Sequence, residues 1–266
     1  MSTTRNSQPS QATTVIIQEK IKQIEEKYQV TILYACESGS RAWNFASPNS
    51  DYDIRFIYAH QPAWYLQVDK EYQRDVIELP IVDEYDINGW ELQKSLKLLK
   101  KSNPTLLEWI SSPIVYRNIK GFKQEANALS DKYFCARSCF YHYQHMAKNN
   151  YREHLKQSTV RLKKYFYVLR PLFAMRWLEK KLTKIPMQFN ELLNSMCDNK
   201  QVRSLIEELL IIKESVDEKY YQPAQPMLNK YIENELNNIE QRAQTLDKNI
   251  KDYHAINQFF IRWLGQ

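Results

Sequence analysis

The chain has 266 residues, of which 43% are hydrophobic and 26% are charged, and its formal net charge is +6. This composition is typical of a globular protein with one large domain or two smaller ones, and no apolar run reaches the roughly 18 residues of a membrane span. Residues 1–13 are polar, so we expect a disordered tail and not a signal peptide, and a cytoplasmic protein without a membrane partner. The four glycines form neither G-x-G-x-x-G nor the P-loop signature, which excludes those two nucleotide-binding classes.

The first part of the chain predicts a small mixed α/β unit. Apolar residues recur at helical spacing over 14–27, and the pattern then becomes strand-like. Further strand patterns precede two helices, and Pro104 suits the first turn of the second one. The predicted strands cover 30–35, 53–59, 75–81 and 85–87, and the predicted helices cover 14–27, 89–100 and a segment from about 104.

A glycine-serine pair, Gly39-Ser40, lies between two predicted strands and is followed by Asp51 and Asp53. Residues two apart on a strand point to the same side, so the two carboxylates share one face. Adjacent carboxylates repel each other unless a cation lies between them, and Mg²⁺ in such sites commonly bridges to substrate phosphates. A glycine turn offers close backbone N–H groups and serine offers a hydroxyl, which are contacts that a triphosphate needs. The motif therefore predicts a site for metal ions and a nucleotide.

Two metal ions on an Asp-x-Asp pair require a third carboxylate on a neighbouring strand, close to the acceptor. Asp86 suits this role because Tyr85 and Ile87 flank it, which places its side chain on the polar face of a short strand. Glu78, between two apolar residues of the preceding strand pattern, is the alternative.

From about residue 117 onward the pattern is almost entirely helical and predicts a second, helical domain. Pro171 lies within one of these helices and should kink or split it. The predicted helices cover 117–130, 135–155, 158–181, 188–196, 199–219, 226–250 and 252–264.

Two cysteines and two histidines in the helical part have a spacing that resembles a metal site. These residues are Cys135, Cys139, His142 and His145. All four fall along one predicted helix, and a single helix face cannot surround a zinc ion tetrahedrally. We therefore predict packing cysteines and partly exposed histidines without zinc, and no disulfide framework among the four cysteines of the chain.

Positive charge is concentrated in residues 137–184, where 12 Lys or Arg and two Asp or Glu give a net charge of +10. Aromatic residues alternate with the basic ones, including Tyr141, Tyr143, Tyr151, Tyr165, Tyr167 and Trp177. This composition is typical of a surface that follows phosphates and stacks bases. The alternative is that the aromatics form the apolar faces of two packed helices whose solvated faces carry the charge. The size of the charge favours an anionic ligand, with Lys163, Lys164 and Arg170 as the predicted phosphate contacts.

These residues resemble the DNA polymerase β-like nucleotidyltransferase superfamily, which is marked by Gly-Ser, a short loop, Asp-x-Asp and a later acid on a strand. The closer resemblance is to a bacterial and phage group described as RNA-ligase-associated predicted nucleotidyltransferases, of the RlaP type, and it covers about residues 33–195. It is carried by ESGSRAWNFASPNSDYDIRFIY, RDVIELPIVDEYDINGWELQKSLKLLKKSNPTLLEWISSPIVY and LKKYFYVLRPLFAMRWLEKK. Asn44 stands where related sequences typically have glycine. Because asparagine tolerates positive φ, we expect the loop to keep its conformation.

The resemblance implies an α+β fold, with a mixed-sheet nucleotidyltransferase domain over 14–116 and an all-helical, acceptor-binding domain over 117–266. It also implies two bound Mg²⁺ ions, with Mn²⁺ as an alternative. The implied metal ligands and catalytic acids are Asp51, Asp53 and Asp86, and the implied triphosphate contacts are Gly39, Ser40 and Arg41.

The implied reaction is the attack of a hydroxyl, activated near Asp86, on the α-phosphate of a nucleoside triphosphate such as ATP, with release of pyrophosphate. An RNA end is the expected acceptor, because the name of the group and the basic aromatic segment agree. A hydroxyl of a partner protein, modified by AMP transfer, is the main alternative, and a small-molecule acceptor comes third. A non-catalytic nucleic-acid-binding protein on the same fold is a further alternative, which the intact acids disfavour.

Overall fold

A computed structural model describes residues 8–237, 239, 242, 246 and 252–265. These residues form two compact units. The sheet unit comprises residues 8–42, 51–134 and 252–265, and the helical unit comprises residues 43–50, 135–237, 239, 242 and 246. This division differs from the predicted boundary after residue 116. Residues 117–134 pack with the sheet, and the segment 43–50 packs with the helices although it lies inside the Gly-Ser to Asp-x-Asp motif.

The sheet unit contains both strands and helices, whereas the helical unit consists mainly of helices. The strands are β1 (Thr31–Glu37), β2 (Tyr52–Ala59), β3 (Val76–Glu78), β4 (Tyr85–Glu91), β5 (Val115–Asn118), β6 (Thr159–Arg161) and β7 (Tyr221–Pro223). The helices are α1 (Gln11–Tyr28), α2 (Gly39–Ala42), α3 (Leu92–Lys100), α4 (Pro104–Ser111), α5 (Phe122–Tyr133), α6 (Ala136–His154), α7 (Leu162–Lys181), α8 (Phe189–Met196), α9 (Lys200–Ser215), α10 (Pro226–Asn237) and α11 (His254–Leu264). Three short 3₁₀ segments cover Pro62–Leu66, Lys70–Tyr72 and Ile119–Gly121.

The sheet unit is built on a five-stranded mixed sheet with the strand order β3-β4-β2-β1-β5, which confirms the predicted α+β class. The pair β2–β4 is parallel, whereas the other neighbouring strands run antiparallel. In the parallel pair, Asp53 lies directly opposite Asp86, and Phe56 lies opposite Gly89. A Cβ at Gly89 would overlap the Phe56 ring, so the absence of a side chain lets the two strands pair at this point.

Two apolar layers cover the two faces of the sheet. On one face α1 contributes Ile17, Ile21 and Ile24, which recur at helical spacing and pack with buried strand residues such as Ile54. The other face is covered by α3, α4, α5 and α11. Because side chains alternate along β2, Ile54 points to the α1 layer, and Asp53 shares the opposite face with Ile57.

The helical unit consists of α6 to α10 and contains a two-stranded antiparallel sheet, β6–β7, which the helical pattern did not predict. The predicted split at Pro171 is wrong, because α7 continues through this residue. Pro171 is buried, and α7 packs against four neighbouring helices, so tertiary packing outweighs the lost backbone hydrogen bond. Among the described residues, no helix is both long and apolar enough to cross a membrane.

Several helices and strands begin or end at residues other than the predicted ones, because local hydrogen bonds set these limits. The first helix begins at Gln11, where Ser10 caps it by accepting a hydrogen bond from the Thr13 N–H, so only part of the predicted tail precedes it. Residues 1–7 lie outside the described residues. The helix predicted from residue 89 begins at Leu92, because β4 continues to Glu91. β5 was not predicted, and most of the predicted helix after residue 237 lies outside the described residues.

Two residue-level expectations are met. Asn44 has φ of +65°, the conformation expected where related sequences have glycine. All four cysteines lie in the described part of the chain, and none of them forms a disulfide. Cys139, His142 and His145 lie on α6, and Cys135 directly precedes it.

Candidate active site

The Gly-Ser motif forms a tight turn directly after β1. Gly39 has φ of +60° and begins the short helix α2. A Cβ at this position would overlap the Oδ2 atom of Asp53, so only glycine permits this close approach. The Ser38 N–H donates to the Asp53 carbonyl at 2.9 Å. The turn therefore holds the Asp53 carboxylate against the backbone of residue 39.

Arg41 lies buried beside this turn, with 5% of its surface exposed. Its guanidinium stacks over the Tyr52 ring at 3.9 Å from the centroid, and its Nε donates to the Asp51 carbonyl at 3.3 Å. Arg41 thus braces the backbone that enters β2, and its contact with a triphosphate stays a prediction. Ser40 is buried as well, so neither side chain is presented to solvent in this conformation.

Asp53 and Asp86 form the centre of the site. They lie directly opposite each other on β2 and β4, and their side chains are 26% and 30% exposed. Burial raises the pKa of Asp53 to about 6; the nearby carboxylates of Asp86 and Asp51 act in the same direction, and Arg55 opposes them. Two of the three predicted acids are therefore adjacent, and the third lies just before β2.

Arg55 lies between the two facing carboxylates. Its Nη2 donates to Asp53 Oδ1 at 2.9 Å and to Asp86 Oδ2 at 2.7 Å, and its Nη1 donates to the Asp86 carbonyl at 2.8 Å. Hydrogen bonds between a guanidinium and carboxylates are among the strongest in proteins. No motif in the sequence marked Arg55, although its position two residues after Asp53 places it on the same strand face.

Glu37 at the end of β1 is fully buried and fixes the start of β2. Its Oε1 accepts a hydrogen bond from the Asp53 N–H at 2.8 Å, and its Oε2 accepts one from the Tyr116 hydroxyl. Burial raises the pKa of Glu37 to about 7. No sequence pattern marked this residue, since its contacts come from β2 and from the unpredicted β5.

The geometry favours Asp86 over Glu78 as the partner of Asp53. Glu78 is exposed on the edge strand β3, where it lies opposite Asn88. Asp86 instead belongs to the strand that pairs with β2, so it meets Asp53 directly.

The carboxylate oxygens of the Asp53–Asp86 pair match the chemistry that Mg²⁺ and Mn²⁺ prefer. As the side chains stand, however, no group of three or more His, Cys, Asp or Glu in the described part of the chain could hold a metal ion. The guanidinium of Arg55 lies between the two carboxylates and contacts one oxygen of each. The pair therefore offers oxygen ligands that suit a divalent ion, with Arg55 as the cation that contacts them in this structure.

The loop inside the motif, residues 43–50, is held by side chains of the helical unit. Lys213 Nζ lies 3.1 Å from Ser47 Oγ, which itself donates to the Lys213 carbonyl at 3.0 Å. Asn49 donates to the Asp217 carboxylate. The loop is thus bound by residues more than 160 positions later in the chain, which belong to the same compact unit.

The three predicted phosphate contacts of the helical unit have different environments in the structure. Arg170 is buried, with its guanidinium 4.6 Å from the Trp43 ring centroid, and is therefore not a surface contact. Lys163 pairs with Glu218 at 2.9 Å. Lys164 is half-buried, and burial together with the charge of Lys163 lowers its pKa.

The aromatics Tyr143, Tyr151 and Tyr165 are core residues, as the alternative interpretation predicted.

A second group of basic residues is better exposed. Lys148 and Arg152 on α6 and Lys156 just after this helix line a cavity of about 600 Å³, which we call the basic cleft. Arg152 and Lys156 are exposed. Glu233, which accepts a hydrogen bond from the Tyr151 hydroxyl, also lines the cleft.

Near the end of α6, burial lowers the pKa of His154; the charges of Lys164 and Arg161 act in the same direction, and Glu153 opposes them.

The family comparison assigns the chain to the polymerase β-like nucleotidyltransferases. Over residues 14–262 the chain matches the RNA repair pathway DNA polymerase beta family, RlaP, and it belongs to that family, which confirms the resemblance drawn from the motifs. The uncharacterized protein YcgL of Bacillus subtilis (strain 168) is 43% identical over 234 residues, which are 88% of this chain and 89% of that protein. A solved nucleotidyltransferase-like protein from Exiguobacterium sibiricum 255-15 is similar over 86% of this chain and 75% of its own, with a TM-score of 0.33 and 11% identity.

Proposed function

We propose that the protein is a Mg²⁺-dependent enzyme that transfers a nucleoside monophosphate from a nucleoside triphosphate to the hydroxyl of an RNA end. The observation that carries the proposal is the Asp53–Asp86 pair beside the Gly39 turn, in a chain that belongs to a polymerase β-like family. Facing carboxylates next to a glycine turn are the arrangement that such chemistry needs.

In the proposed reaction, the acceptor oxygen forms a bond to the α-phosphorus, and the bond from that phosphorus to the bridging oxygen of pyrophosphate breaks. The proton of the acceptor hydroxyl passes to the Asp86 carboxylate. The carboxylates of Asp51 and Asp53 supply negative charge at the start of β2. Glu37 keeps the Asp53 backbone in place by accepting a hydrogen bond from its N–H. When bound, divalent ions would neutralise the charge of the phosphates in the transition state.

The catalytic part is tested with purified protein, Mg²⁺, RNA and each of the four α-labelled nucleoside triphosphates in turn. Wild-type protein is expected to label RNA, whereas Asp53→Asn and Asp86→Asn should lose transfer while staying folded. Glu78→Gln is the matched control, since it removes an exposed acid from the adjacent strand. Full activity of Asp53→Asn would refute the proposed site, and an active Asp86→Asn with an inactive Glu78→Gln would assign the third acid to Glu78.

The basic cleft supports RNA as the acceptor, because three cations that line one cavity suit a chain of phosphates. The double variant Arg152→Glu, Lys156→Glu should weaken RNA binding and leave triphosphate binding unchanged. Single-strand binding has a salt dependence of about −0.7 per phosphate contact, so losing two contacts should reduce the slope by about 1.4.

The matched control for the cleft is the double variant Lys181→Glu, Lys200→Glu. It changes the charge equally at exposed positions that do not line the cavity. Equal weakening of RNA binding by both double variants would show that the effect comes from the overall charge of the protein and not from the cleft. If RNA binding is absent at low salt and label appears only on protein, the acceptor is a partner protein instead.

A further inference from the structure

The guanidinium of Arg55 lies where the site is expected to hold divalent ions. One nitrogen of Arg55, Nη2, donates to both Asp53 and Asp86, so the guanidinium joins two acids that would otherwise face each other across the parallel strands. Its side chain is 17% exposed, and a second nitrogen is held by the Asp86 carbonyl. This placement makes Arg55 part of the site itself and not of its surface.

We propose that Arg55 is an internal counterion that holds Asp53 and Asp86 together before a divalent ion enters and that leaves when the ion binds. The inference rests on the proposed function, because it concerns the same pair of acids. It adds a role in ligand selection. A bare divalent ion must displace Arg55 without giving it a new partner, whereas an ion that arrives with a triphosphate brings phosphate oxygens for the released guanidinium.

The size of the effect follows from the charge. Arginine stays protonated in proteins, so it cannot leave by losing its proton and competes with any other cation for the two carboxylates. An opposite charge at this distance changes the proton affinity of a carboxylate by about 1–3 pKa units, which is tenfold or more. Removing the guanidinium should therefore raise the affinity for a divalent ion at the same oxygens by about tenfold or more.

Another arginine of the same sheet provides a matched control. Arg117 on β5 pairs with the carboxylate of Glu25 on α1, and among the residues that the structure describes it bridges no second acid. Arg117→Gln therefore removes an ion pair from the sheet unit without changing the charge between Asp53 and Asp86.

The experiment measures Mn²⁺ binding by electron paramagnetic resonance, without nucleotide, for wild-type protein, Arg55→Gln, Arg55→Lys and Arg117→Gln. We expect Arg55→Gln to bind Mn²⁺ about tenfold or more tightly than wild type, and Arg117→Gln to match wild type. Arg55→Lys keeps the charge but lacks the second nitrogen that donates to the Asp86 carbonyl, so its affinity for Mn²⁺ should fall between those of Arg55→Gln and wild type. A nucleoside triphosphate should tighten Mn²⁺ binding far more in wild type than in Arg55→Gln.

A chemical competition provides a second measurement. In Arg55→Ala, added methylguanidinium should weaken Mn²⁺ binding, because it restores the competing cation, and it should leave wild type unchanged. Equal or weaker Mn²⁺ binding by Arg55→Gln and Arg55→Lys relative to wild type would overturn the inference and leave the proposed function intact. Absence of Mn²⁺ binding in every variant, even with a triphosphate, would overturn both.

Discussion

Lys213 is a buried charge whose removal should stabilise the protein at neutral pH. It is 2% exposed on α9, it contacts Ser47 in the loop between the two halves of the active-site motif, and its ammonium lies 5.3 Å from the Phe45 ring centroid. Burial lowers its pKa from the ordinary 10.5 to about 8; the charge of Lys163 acts in the same direction, and Glu218 opposes it. We predict that Lys213→Met is more stable than wild type at pH 7.

The magnitude follows from the pKa. A value lower by about 2.5 corresponds to about 3 kcal/mol of cost for keeping Lys213 charged in the folded protein. Losing the contact with Ser47 should cost about 1 kcal/mol, which leaves a net gain of about 2 kcal/mol for the methionine variant at pH 7. Between pH 8 and 10.5 the folded protein binds fewer protons at this residue than the unfolded chain. Wild-type stability should therefore rise with pH in this window relative to the variant.

The assay is urea unfolding of wild type and Lys213→Met at half-unit steps from pH 7 to pH 10.5. Other groups that titrate in this range are present in both proteins, so the difference between the two free energies of unfolding isolates Lys213. We expect this difference to favour the variant at pH 7 and to shift toward wild type as the pH rises through about 8. A constant difference across the whole range, or a variant that is less stable than wild type at pH 7, would refute the reasoning.

Three further predictions concern the backbone and the supports of the site. Gly39→Ala should abolish nucleotidyl transfer, because its Cβ would displace Asp53. Gly121→Ala also has positive φ, but its Cβ would meet Gln124 Oε1 at an ordinary contact distance of 3.7 Å, so it should keep activity in the same labelling assay. Asn44→Gly should leave the thermal midpoint unchanged or slightly higher, and Asn44→Ala should lower it by the equivalent of about 1 kcal/mol, since φ is +65°. Glu37→Leu should cost about 1–3 kcal/mol in denaturant unfolding, because it leaves the buried Asp53 N–H without its acceptor; recovery of stability in Glu37→Gln would show that the hydrogen bond is responsible.

The sequence was sufficient to predict the parts of the site that depend on neighbours along the chain. The strand pattern around Asp53 and the flanking apolar residues of Asp86 both come from local alternation, and the structure places these two acids opposite each other. The types of β1 to β4 and of α1, α3 and α4 were predicted for the same reason. The four-residue strand β5 was missed because its stability comes from pairing with β1 and not from its own composition.

The charged residues were harder to place, because burial is a property of the whole fold. Arg170 belongs to a strongly basic segment, yet it lies in the core beside Trp43. Lys163 on the same helix forms an ion pair with Glu218. Arg41 was expected to contact phosphate, and in the structure it braces Asp51. A count of charges along the chain cannot separate exposed cations from buried ones, so the basic cleft became visible only in three dimensions.

The parallel pairing of β2 with β4 has a consequence for how the chain can change in length. The residues between these strands, 60–84, include exposed apolar positions such as Leu66 and Val68 and contribute only the short edge strand β3 to the sheet. Insertions or deletions there leave the two acids opposite each other, because the ladder itself sets their alignment. One residue inserted between Asp53 and Phe56 or between Asp86 and Gly89 would instead turn one acid to the other face of the sheet. Related chains should therefore vary in length between the two strands and keep the spacing within each strand constant.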